Sequence, residues 1–160
     1  MNKKILSEQA LIYGNVSMPK GFEINRDQLT KDILYSFLKE SEFPFSKNYD
    51  MLNTYILDHV RLKYKIDLIQ KKTWGNGYDP GEKTFPIFDT DPVDLKDSPD
   101  FTLLYGVDVK DCLVKIYYDD NRRKGRSWDI ELKNNMFIIF PSTNMYVINF
   151  MLSKKILSSF

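Results

Sequence analysis

The most constraining feature of this sequence is a series of short apolar segments set roughly ten residues apart. Phe101 to Val107, Cys112 to Tyr118, Arg126 to Leu132, Met136 to Phe140 and Tyr146 to Leu152 follow one another with polar turns between. Segments of this length, rich in Val, Ile, Tyr and Phe, are strands, and such spacing leaves room only for tight turns and antiparallel pairing. Asn134-Asn135 is a plausible hairpin turn because asparagine tolerates positive φ. Val114 and Ile116 flank Lys115, so one face of their strand is predicted to point inward. Met136 to Phe140 is apolar on both faces, so its second face is expected to meet helices or another chain. An N-terminal strand is predicted within Ala10 to Val16.

The front half has a different period. Asn25 followed by Gln28 resembles a capping box, and Leu29, Ile33, Leu34, Phe37 and Leu38 then share one helical face. Pro44 is expected to end that helix. A second helix opens near Ser46 or Asn48, with Met51, Leu52, Tyr55, Ile56, His59 and Val60 as its stripe. Leu62, Tyr64, Ile66 and Leu68 alternate with Lys63, Lys65 and Asp67, which predicts a strand. Trp74 to Gly81 reads as a glycine-rich loop, and Phe85 to Phe88 as a short edge strand limited by Pro86. The sum is an α+β, mainly β, protein with two N-terminal helices on a barrel-like sandwich of about eight strands. One domain, 1–160, is expected, with a helical part over about 1–61 and a β part over about 62–160.

Composition removes several function classes. The chain has 160 residues with 23 basic and 22 acidic side chains, so its formal charge of +1 argues against a globally basic nucleic-acid binder. One cysteine excludes an internal disulfide, and one histidine excludes every site that needs two. The basic start, Met1 to Leu6, is interrupted by Ser7, Glu8 and Gln9 before a signal-peptide core can form. No stretch reaches the roughly 18 apolar residues of a membrane span. A soluble cytoplasmic protein without a membrane partner is expected; a protein partner or a homo-oligomer stays open.

The chemical motifs each have an ordinary reading. Gly75-Asn76-Gly77-Tyr78-Asp79-Pro80-Gly81 lacks the glycine and the following helix of a dinucleotide loop. His59, on an apolar helix face, reads as a packed side chain. Cys112 shares a strand face with Val114 and Ile116 and points inward. Asp89, Asp91, Asp94, Asp97 and Asp100 could offer oxygens to a hard cation, but they lack the glycine and glutamate of an EF-hand. Arg122, Arg123, Lys124 and Arg126 crowd one hairpin tip and could hold an anion or nucleic acid.

The run from Asp119 to Trp128, followed by Asn135 to Ser142, is similar to small jelly-roll proteins of marine T4-like phages. These in turn resemble the 2-oxoglutarate/iron oxygenases, whose fold is a double-stranded β-helix of the cupin-like type. Phe140-Pro141-Ser142 matches an oxygenase pattern that places an iron-ligand histidine four residues beyond the serine; here that position is Tyr146. Tyr78-Asp79-Pro80-Gly81 matches the loop that opens the pattern. Where the pattern has a His-x-Asp or His-x-His pair, the chain has Phe88, Asp89, Thr90 and Asp91, with no histidine. The resemblance therefore implies the fold, with Asp89, Asp91 and Tyr146 at its mouth, but not the chemistry: a facial triad needs two histidines and one carboxylate. The reading is a non-catalytic jelly-roll protein without metal or cofactor. The alternatives are an enzyme with an unusual carboxylate metal site, and a binding module using the Arg122–Arg126 loop.

Overall fold

The computed structural model describes residues 1–5, 9–16, 25–39, 47–70, 74–79, 81–91, 93–118, 126–150 and 155–159. Two helices and eight strands are formed among them: β1 (Ile12–Asn15), α1 (Arg26–Lys39), α2 (Lys47–Tyr64), β2 (Trp74–Tyr78), β3 (Phe101–Asp108), β4 (Cys112–Tyr118), β5 (Arg126–Leu132), β6 (Met136–Pro141), β7 (Tyr146–Phe150) and β8 (Lys155–Ser159). All recorded strand pairs are antiparallel.

The strands form two sheets. One has the order β1-β6-β3-β8-β2 and the other β5-β4-β7. Residues 82–87 extend the smaller sheet beyond β7 through bridges Lys83↔Asn149 and Ile87↔Tyr146, with amides of Thr84, Ile87 and Phe150 in the ladder. The chain thus passes back and forth between the sheets. The result is an open sandwich of two antiparallel sheets, and among the described residues it does not close into a barrel. Tyr13 of β1 and Trp128 of β5, with ring centroids 5.5 Å apart, bridge the open side.

Strict alternation sorts the core into two layers. Leu104, Ile138 and Phe140 of the larger sheet face Val114, Ile116, Ile148 and Phe150 of the smaller one. The neighbouring positions Leu103, Tyr105, Phe137 and Ile139 point the other way and pack against Leu29, Ile33, Leu52, Ile56 and Val60 of the helices. That is why β3 and β6 are apolar on both faces, and no second chain is needed to cover them. Leu34 was expected in this core and is instead 40% exposed. The side chains of Phe37 and Leu38, and Pro44, lie outside the described residues.

The local signals explain most boundaries. Asn25 Oδ1 accepts the Gln28 amide at 3.1 Å and caps α1. Gln28 does not reach back to Asn25 but bonds Asp32 Oδ1, 3.0 Å away. The strand expected over 62–68 does not form. α2 continues through Tyr64 and stops where Lys65 takes φ 55, its amide bonded to the Arg61 carbonyl at 2.9 Å. Ile66 and Leu68 then pack partly buried against the helical core without a partner strand. Conversely, the glycine-rich loop expected at Trp74 to Gly81 begins as strand β2, paired with β8. Asn135 turns the β5–β6 hairpin at φ 62.

Candidate functional site

Seven elements end at one rim of the sandwich: the starts of β3, β5 and β7, the ends of β4 and β6, the turn 142–145 and the segment 87–89. The register that brings them together is Phe101↔Pro141, Ile116↔Tyr146 and Ile87↔Tyr146. Tyr146 is the first residue of β7, and alternation turns it inward with Ile148 and Phe150. It is 2% exposed, and its ring meets that of Phe140 edge-on at 5.2 Å.

A buried phenol needs a partner. The Tyr146 hydroxyl donates to Asp89. Burial first, then the nearby Asp89 carboxylate, holds the Tyr146 phenol far above its ordinary ionisation range. Asp89 also receives the Thr102 hydroxyl, Oγ1 to Oδ2, at 2.6 Å. Thr102 Oγ1 is 3.0 Å from Ser142 Oγ. The single Thr102 proton is directed to the carboxylate, so Ser142 is the donor to Thr102. Ser142 is fully buried, and its amide bonds the Asp100 carbonyl at 3.0 Å. The chain Ser142–Thr102–Asp89–Tyr146 therefore ties β6, β3, the 87–89 segment and β7 into one polar network. Behind it, Tyr78 stacks on Phe150 with centroids 4.8 Å apart. Burial and then Glu82 push the Tyr78 phenol up to about 12.

Asp91 does not join this network. Its Oδ1 accepts the Val93 amide and its own amide bonds Ser98 Oγ. Asp94 Oδ1 likewise accepts the Asp97 amide. Much of the acidic loop is thus folded on itself by short-range turns. Among the described residues, no three His, Cys, Asp or Glu side chains are gathered to hold a metal ion. Asp89 and Asp91 both line a groove of about 780 Å³ that runs beside the network. Arg122, Arg123 and Lys124 lie outside the described residues; Arg126 opens β5 opposite Tyr118 and is exposed.

An oxygenase-type iron site does not fit these donors. The only histidine, His59, sits on α2 with its ring stacked on Tyr55, centroids 6.1 Å apart. α2 packs on the face of the larger sheet opposite to the one that Tyr146 faces. In the network itself the available groups are the Asp89 carboxylate, the Thr102 and Ser142 hydroxyls and the buried Tyr146 phenol.

Sequence reasoning missed Thr102 and the buried role of Ser142. The signal for Thr102 was its parity with Leu104 on β3, which aims it between the sheets.

The fold is that of an antiparallel sandwich with helices on one face. No family model matches this sequence, and no curated protein matches it. Among solved structures, the chain is similar to a prolyl-4-hydroxylase of Pseudomonas putida. The TM-score is 0.60 over 94% of this chain and 83% of that chain, at 10% sequence identity. The similarity is one of fold.

Proposed function

We propose that this chain is a non-catalytic protein of double-stranded β-helix fold, derived from an oxygenase framework and acting by binding through its outer surface. The carrying observation is the Tyr146–Asp89 hydrogen bond. At the position where the oxygenase pattern puts a metal-binding imidazole, a buried phenol is engaged with the Asp89 carboxylate. The interleaved strand order of the two sheets and the prolyl-4-hydroxylase likeness support the jelly-roll reading. The larger sheet packs against the helices on one face and against the smaller sheet on the other, which supports one domain over 1–160. A phage origin and a cytoplasmic location, in the host cell, belong to the same proposal. No helix among the described residues is long and apolar enough to cross a membrane.

Reconstitution with Fe(II) under anaerobic conditions, followed by metal analysis and a succinate assay with 2-oxoglutarate, tests this. The expected result is substoichiometric iron and no succinate. Stoichiometric iron with succinate formation would overturn it.

A further inference from the structure

We propose that the groove beside the Tyr146–Asp89 network is a docking surface for a basic peptide segment of a partner protein. This inference rests on the reading of the protein as a binding module and names the face and the partner chemistry. The groove measures about 780 Å³ and lies between α2 with its continuation, residues 89–91 and 94–100, and the start of β3. Its apolar lining comes from Leu57, Leu68, Leu103 and Ile139, with Ile69 and Phe101 beside them. Ile69 is 93% exposed at this groove, so its side chain is open to an occupant that covers it together with the apolar lining.

Charge selects the occupant. Asp67, Asp89, Asp91, Asp94, Asp97 and Asp100 line the groove, against a single Lys96. Among the described residues none of these carboxylates is in an ion pair; the pairs present involve Asp58, Asp129 and Glu131. On a chain of net charge +1 this is a strong local concentration of one sign. The carboxylates are not gathered three to a point. They are strung along the groove and suit spaced cations better than one metal ion. Nucleic acid and anionic membranes are repelled by the same charges. A small polyamine would leave the apolar lining unused. A segment in which Lys or Arg alternates with aliphatic residues satisfies both features, because an extended chain presents successive side chains to opposite sides. Apolar contact would supply most of the affinity and the rim carboxylates the encounter rate and sign selectivity.

The test uses the full chain and a fluorescein-labelled octapeptide of alternating lysine and leucine, read by anisotropy. Matched lysine–serine and glutamate–leucine peptides are the controls. Saturable binding of the lysine–leucine peptide is expected, weakened severalfold between about 50 mM and about 300 mM salt. The triple variant Asp67→Asn/Asp97→Asn/Asp100→Asn alters exposed side chains and is expected to weaken binding at least about tenfold. Ile69→Ser is expected to weaken it about tenfold through lost apolar contact. Thermal unfolding of both variants checks that the fold is intact; if either fails to fold, the control peptides and salt series on the parent chain decide. Equal binding of the lysine–serine peptide, equal binding of the glutamate–leucine peptide, or unchanged binding by a folded triple variant would overturn the proposal. So would a dimer, seen by sedimentation, that Ile69→Ser dissolves and that excludes the peptide. Iron-dependent succinate formation would sink the non-catalytic reading while leaving the peptide result standing, so the two failures are distinguishable.

Discussion

The phenol of Tyr146 and the carboxylate of Asp89 are hydrogen-bonded at the rim of the sandwich, one from β7 and the other from the segment that bridges to it at Ile87. The bond joins the polar network to the aromatic interior. Tyr146→Phe removes the donor and leaves the Asp89 carboxylate with Thr102 as its side-chain donor. A loss of about 1–3 kcal/mol is expected. Asp89→Asn should cost less, and the double variant less than the sum, because the two residues share one interaction. Urea denaturation of the three variants measures this; strict additivity would show that the bond carries no energy.

Alkaline pH should destabilise the fold through Tyr78 and Tyr146. Both phenols are raised in the folded state, Tyr78 to about 12 and Tyr146 further, while the unfolded chain ionises near 10. The unfolded state therefore loses protons first, and stability falls as pH rises above 10. The contribution is fully present below that value. The slope is up to about 1.4 kcal/mol per pH unit for each tyrosine. Phenolate absorbance followed during a pH jump should show a slow fraction that appears only with unfolding. Full, immediate ionisation of every tyrosine would contradict this.

Gly106→Ala tests the close approach in the middle of β3. A Cβ there would meet the Lys133 carbonyl oxygen, which is backbone, and Val109 Cγ2 at 3.0 Å. The β3–β8 register also shifts between Gly106 and Asp108. Overpacking of this kind costs about 1–3 kcal/mol. A thermal midpoint equal to that of the parent would show that the turn at Lys133 moves freely.

Asn135 combines a left-handed turn with a side-chain bond: it has φ 62, and its Oδ1 accepts the Tyr105 hydroxyl at 2.8 Å. Asn135→Gly keeps the backbone conformation and loses the acceptor. Asn135→Ala loses both and should be worse by about 1–2 kcal/mol. Equal stabilities of the two variants would remove the conformational argument.

Ile116→Ala is expected to cost about 2–5 kcal/mol, since the side chain is buried between the sheets beside Tyr146. A loss below about 0.5 kcal/mol, measured by the same denaturation, would mean the cavity collapses completely.

What the residues revealed depends on whether local pattern or distant pairing decides each element. β3 to β7 were legible because alternation and turn chemistry are local; Cys112–Tyr118 and Arg126–Leu132 coincide with the expected segments. Leu62 and Tyr64 misled, because both are exposed apolar residues in the last turn of α2 and their spacing of two imitates a strand's period. β2 was invisible because Gly75 and Gly77 provide no side chains to alternate, and its order comes from β8. At the site, Tyr146 and Asp89 were named from a motif resemblance. Thr102 was not, since its role arises only when β6 delivers Ser142 beside it.

The position of β8 has a consequence for how the molecule can be made. It lies between β3 and β2 in the larger sheet, so these two strands cannot be joined until residues 155–159 have been synthesised. During vectorial synthesis β3 must wait with one ladder edge unpaired, although its side chains are apolar on both faces. Pairing over such sequence distance is slow, and an open apolar edge is a template for other chains. The nascent protein is therefore most vulnerable to self-association in the interval before its β8 segment is released, and a chaperone or low expression temperature acting in that interval should raise the yield of folded chain.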